Sequence, residues 1–257
     1  MMFDEIRIAA AQQFAAEQRN PNGGHESTPE EISDAVVRFA DSLGSEPARF
    51  VPVVADGYGL FGWCIDGVNE KVRAMGGAPV LGWAIWEWPT AMLTAEFHCV
   101  WADPTGELFD ITPKPKGQTR IVFVPDYSYP ANFNFDERPR NRRMRIWPDT
   151  DKAALAIAHE AGLSDSQRAY ESRRATKAGI LLLQWLERKI PDAPMVVAVD
   201  EAIAACGAFE EHYDSLGMSG PIRVDDRYHA LARRREAALN ALKLLCSKGN
   251  QANGAGR

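Results

Sequence analysis

Every strand-like segment of this chain reads between Phe50 and Val124, and from Trp147 onward only helical spacing is found. The candidate strands cover residues 50–54, 80–88, 95–102, 107–112 and 120–124. Such segregation predicts an α+β fold. A helix-then-sheet unit is expected over residues 1–147, a helical accessory unit over 148–248 and a frayed tail over 249–257. Within the first unit, Thr28-Pro29-Glu30-Glu31 carries a helix-start signal: a Thr, Pro at the first helical position and Glu three residues on. Ile32, Val36, Phe39 and Leu43 then recur at helical spacing, and Gly44 ends the run. Residues 18–27 are polar and rich in Gly and Asn, the composition of a loop. Val68, Val72 and Met75 predict a further helix closed by Gly76-Gly77. In the second unit, helices are predicted over 153–161, 164–189, 194–213 and 225–248.

With 257 residues, 46% of them apolar, the chain can bury a core without disulfide staples. Its four cysteines, Cys64, Cys99, Cys206 and Cys246, form no CxxC pair, which argues against a disulfide framework or a zinc ribbon. A net charge of −6 argues against general binding of nucleic acid or anionic membranes. No apolar run approaches the roughly 20 residues of a membrane span. The first twenty residues lack the charged start and apolar centre of a signal peptide, so the expected location is the cytoplasm. The basic stretch Arg138, Arg140, Arg142, Arg143 and Arg145 reads as a solvated linker between the units, in preference to a surface for an anionic or nucleic-acid partner.

The chemistry concentrates around Cys64. This residue follows a loop punctuated by Gly57, Gly59 and Gly62 and opens the predicted helix. Unpaired backbone N–H groups and the positive end of the helix dipole converge there, which favours a thiolate and could hold a developing oxyanion. A nucleophile needs a base, and a base needs an orienting group. His98 lies in the strand candidate 95–102, sharing a face with Glu96 and Val100, whereas Cys99 alternates to the other face and reads as core filler. Asp103-Pro104-Thr105-Gly106 reads as a turn. If it is a three-residue loop with Gly106 left-handed, paired positions sum to 210, and Asp110 falls on the face of His98 as its diagonal neighbour. A four-residue loop would separate them.

The order of Gly62-Trp63-Cys64, a helix ending at Ala74-Met75-Gly76-Gly77, Gly82-Trp83 on a strand, His98 with Trp101, and Gly106 through Asp110-Ile111-Thr112-Pro113 resembles the transglutaminase-like branch of the papain-like cysteine enzymes. The resemblance spans residues 50–125. It departs in having Trp101 three residues after His98, and Ile111 between Asp110 and Thr112. It implies a Cys-bearing helix packed on an antiparallel sheet, and a Cys64–His98–Asp110 triad acting on an amide or ester carbonyl through an acyl-enzyme. Tyr58, six residues before Cys64, takes the place of an upstream glutamine as a side-chain oxyanion donor, with Trp63 and Trp83 as cleft candidates. The substrate class is a protein, peptide or small amide, and no cofactor or metal is implied. A metal site formed by Cys64, His98, Cys99 and Asp110 is the weaker alternative, because these residues do not share a strand face. A non-catalytic peptide- or protein-binding module on the same fold is the alternative from a different class.

Overall fold

A six-stranded, mainly antiparallel sheet organises the first half of the chain: β1 (Arg49–Pro52), β2 (Ala78–Trp88), β3 (Met92–Ala102), β4 (Leu108–Phe109), β5 (Arg120–Pro125) and β6 (Arg142–Arg145). The computed structural model describes residues 3–19, 26–88, 90–130, 132–148, 151–216 and 224–254. Of the loop read over 18–27, residues 20–25 lie outside the described residues, as do 255–257 of the tail. The strand order is β1-β5-β2-β3-β4, with β6 paired to β3 alongside. A parallel bridge between Val53 and Asp110 joins the two ends of that order, so the sheet curls back on itself.

The long hairpin of β2 and β3 is apolar on both faces, and each face has a core. On one side Leu81, Trp83, Ile85, Phe97, Cys99, Val122 and Val124 pack with Val36, Phe39, Ala40 and Leu43 of α2 (Asp34–Leu43) and Val68 of α3 (Cys64–Met75). On the other, Val51, Ala84, Val100, Ile121 and Phe123 form a smaller cluster inside the curl. Close approach of β2 to β5 depends on Gly82: a Cβ there would sit 2.2 Å from the Val124 carbonyl oxygen. Gly82→Ala is therefore expected to cost about 1–3 kcal/mol through overpacking, read as a lowered urea midpoint; an unchanged midpoint would contradict this packing.

In the first 147 residues, three elements differ from the sequence expectation. The helix predicted from Thr28 starts instead at Asp34, with Ser33 as N-cap accepting from Val36 N. Thr28 lies outside any helix: Ser27 pairs with Glu87, and the Thr28 hydroxyl donates to Arg120 O (2.9 Å). The segment 107–112 holds only the two-residue β4, after which Asp110 leaves β3 for β1. The basic stretch is not a linker. Its residues Arg142–Arg145 form β6 against Met92–Ala95, and acids of α7 (Pro194–Ser215) answer its charge. Arg143 forks onto Glu210 (2.6 and 3.1 Å), Arg145 pairs with Asp200 (3.1 Å) and Arg140 with Asp214 (2.6 Å). Arg142 stacks over Trp83, and Arg138 over Phe135.

The chain divides into two compact units, one joining residues 1–146 to 199–257 and the other formed by 147–198. The helical unit read over 148–248 thus divides: residues 199–215 of α7 and α8 (Asp226–Gly254) belong with the sheet. Residues 249–254, read as part of a frayed tail, continue α8. The smaller unit holds α4 (Lys152–Ala161), α5 (Asp165–Lys177) and α6 (Leu182–Lys189). The single helix expected over 164–189 is broken there at Gly179 (φ +71°). Asp151 and Ser164 cap α4 and α5 by accepting from Ala154 N and Gln167 N. Among the described residues, no helix is long and apolar enough to cross a membrane.

Candidate active site

The loop that leads into α3 is built around Asp56. Its carboxylate accepts from Tyr58 N (2.8 Å) and from Lys71 Nζ of α3 (2.6 Å), with both charged side chains largely buried. Gly59 then passes so close to the segment after Asp110 that a Cβ would lie 1.9 Å from Ile111 O. The same loop therefore touches the chain that carries Asp110 and delivers Cys64 to the first position of α3. Trp63 is the N-cap and offers no side-chain hydrogen bond, which leaves the amides of the first turn free of a side-chain cap. At the other end of α3, Trp101 Nε1 donates to Gly76 O (3.0 Å) and ties the helix to β3.

The hairpin register follows the three-residue loop. Gly106 is left-handed (φ +91°), Asp103 N donates to Glu107 O, and Trp101 faces Phe109. His98 and Asp110 accordingly meet: His98 Nε2 lies 3.2 Å from Asp110 Oδ1, off the hydrogen-bond direction. Asp110 is completely buried and His98 is 6% exposed. Asp110 Oδ1 also accepts from Thr112 N (2.9 Å). The other oxygen, Oδ2, is ion-paired, also off the hydrogen-bond direction, with a residue that the sequence did not single out: Lys114 Nζ lies 2.6 Å away, with its side chain only 7% exposed.

These charges set one another's protonation. Burial alone would push the His98 imidazole down; the charges of Asp110 and Cys64 outweigh burial and a smaller opposing pull from Lys114, and raise it to about 10. Burial alone would push Asp110 up, but His98 and Lys114 hold it well below the usual carboxylate range. Burial, followed by the charges of Cys64 and Asp110, pushes the Cys99 thiol well up, so Cys99 stays a neutral filler.

Cys64 is buried, its thiol makes no hydrogen bond among the described residues, and it belongs to the apolar cluster of Leu81, Trp83, Phe97 and Cys99. Those strand residues project from the face opposite His98. The His98–Asp110 leg is thus in place, whereas thiol and imidazole act on each other through charge and not through a hydrogen bond.

Trp83 does not line a cleft. It is 1% exposed in β2, edge-on to Phe97 at 5.3 Å, because both faces of this hairpin are covered. Tyr58 and Trp63 are only partly buried, and Tyr58 packs against the apolar cluster that holds Cys64. Lys71 sits over the Tyr58 ring at 5.4 Å. Among the described residues, no three of His, Cys, Asp and Glu are grouped so as to hold a metal ion. Comparison with known proteins returns no match at three levels: no protein-family model, no curated protein and no solved structure is similar to the chain.

Proposed function

We propose that the chain is a thiol-dependent hydrolase or acyltransferase of transglutaminase-like or papain-like type, acting on an amide or ester carbonyl. The observation that carries the reading is the buried ionic group of His98, Asp110 and Lys114 within electrostatic range of a thiol at a helix start. Apolar residues of similar size would commonly serve stability as well or better than such a buried group. Chemistry gives it a purpose that folding does not.

In this reading the Cys64 thiolate attacks the carbonyl carbon, and amides of the first turn of α3, with Tyr58, face the oxyanion. The His98 imidazolium gives its proton to the departing amine or alcohol, which leaves Cys64 as a thioester. Acylation removes the negative charge of Cys64, one of the two charges that raise His98. The imidazole becomes easier to deprotonate at the step where it must act as a base. Water or an amine then attacks the thioester, His98 takes its proton, and the thiolate returns. Asp110 orients the ring throughout. A thiol nucleophile suits a reducing compartment, and the cytoplasm is the proposed location.

The test is alkylation by iodoacetamide at pH 6, where an ordinary thiol is less than about 1% thiolate. Cys64 is expected to label stoichiometrically and His98→Ala to abolish that labelling. The partly exposed Cys246 serves as the reference thiol. Labelling of Cys64 no faster than Cys246 would remove the reading. The deep burial of Cys64 and His98 favours the second reading, a non-catalytic peptide-binding module, and that result would select it.

A further inference from the structure

We propose that Lys114 is a positioning residue of this site: by holding Oδ2 of Asp110 it aims Oδ1 at His98 and shares the carboxylate's charge with the imidazole. The proposal rests on the thiol-enzyme reading and deepens it. Lys114 lies between Pro113 and Pro115, whose rings fix their own backbone and restrict the residue before each. Its ammonium reaches 2.6 Å from Oδ2 and lies 5.4 Å from the centre of the Trp86 ring, on the His98 side of the sheet. Lysine is almost never buried unless paired, and here the partner already has His98 and Thr112 N on its other oxygen.

The consequence is electrostatic. A carboxylate facing only an imidazolium would bind its proton too tightly for either proton transfer. A second cation on the same carboxylate weakens that hold while keeping the carboxylate ionised. Asp110, Cys64 and Lys114 are the charges that act on the ring. Glu96, on the same face of β3, accepts from Trp86 Nε1 (3.2 Å) and points its charge there.

The experiment follows the His98 ring by NMR titration in the full chain, together with the pH profile of Cys64 alkylation. Lys114→Gln keeps an N–H donor for Oδ2 and drops the charge. It is expected to raise the proton affinity of His98 on the order of tenfold and to carry the alkaline limb of the Cys64 profile upward with it. Lys114→Arg keeps the charge and is expected to stay within about threefold of wild type. A folded Lys114→Gln chain with an unmoved His98 midpoint would overturn the proposal. If Lys114→Gln does not fold, a His98 midpoint in Lys114→Arg displaced by tenfold or more would do the same. A His98 midpoint that moves as expected beside an unreactive Cys64 would support the placement of Lys114 and sink the thiol reading instead.

Discussion

Asp110→Asn is expected to cost on the order of 3–5 kcal/mol of stability at neutral pH, because it strands two buried cations at once. Asn keeps a carbonyl for Thr112 N but removes the carboxylate charge that His98 Nε2 and Lys114 Nζ share. The pH dependence carries a sign that identifies the cause. His98 is raised in the folded chain, so its contribution is complete below the unfolded value near 6.5 and is lost as pH climbs towards about 10. Asp110 is depressed, so its contribution is complete above the unfolded value near 3.8 and is lost as pH falls through the folded one. Wild type should therefore be most stable between about pH 4 and 6.5 with respect to this pair, and weaken from pH 7 to 9. Asp110→Asn should be less stable throughout and should lack that alkaline decline. Urea midpoints at pH 5, 7 and 9 decide it. Parallel curves for the two chains would mean that Asp110 does not set the protonation of His98.

The pairing of His98 with Asp110 could be read from the chain because the turn between them is short and its glycine obligatory. Once Gly106 takes φ above zero, strand alternation dictates which side chains meet. Helix α3 was equally plain, since its apolar positions and its glycine stop agree. Lys114 could not be found the same way. Between two prolines it reads as an exposed loop residue, whereas in the fold its side chain is buried against Asp110 and the Trp86 ring. The one available signal was its position four residues after a carboxylate already assigned a role. Thr28 shows local preference yielding to tertiary pairing: its capping pattern is intact, yet Ser27 is bridged to Glu87 and the helix begins only at Asp34. The arginines of β6 misled for a related reason. A run of like charge signals solvent unless the acids that neutralise it are known, and here they lie more than fifty residues away on α7. Trp83, a cleft candidate through the resemblance alone, is a core residue because both faces of the hairpin are covered.

Under the proposed acyl-transfer reading, Cys64→Ala should remove the pre-steady-state burst with an activated ester such as p-nitrophenyl acetate, leaving only the solution rate. The burst in wild type should approach one equivalent per chain, since each chain carries one such thiol. Cys99→Ala should keep the burst, because its thiol is held neutral by burial and by the charges beside it. Both variants remove a small buried group from the same apolar cluster, so they should lose similar stability, about 1–2 kcal/mol, and differ only in chemistry. That matched pair separates a catalytic thiol from a packing one. His98→Ala should slow the burst by roughly 10²–10⁴, the usual worth of a positioned acid–base group, without changing its amplitude. An ester burst that survives Cys64→Ala and disappears with Cys99→Ala would move the nucleophile to Cys99 on β3, in the same apolar cluster. A burst lost in neither would leave the buried His98–Asp110–Lys114 group as a structural device, and the chain as a binding module.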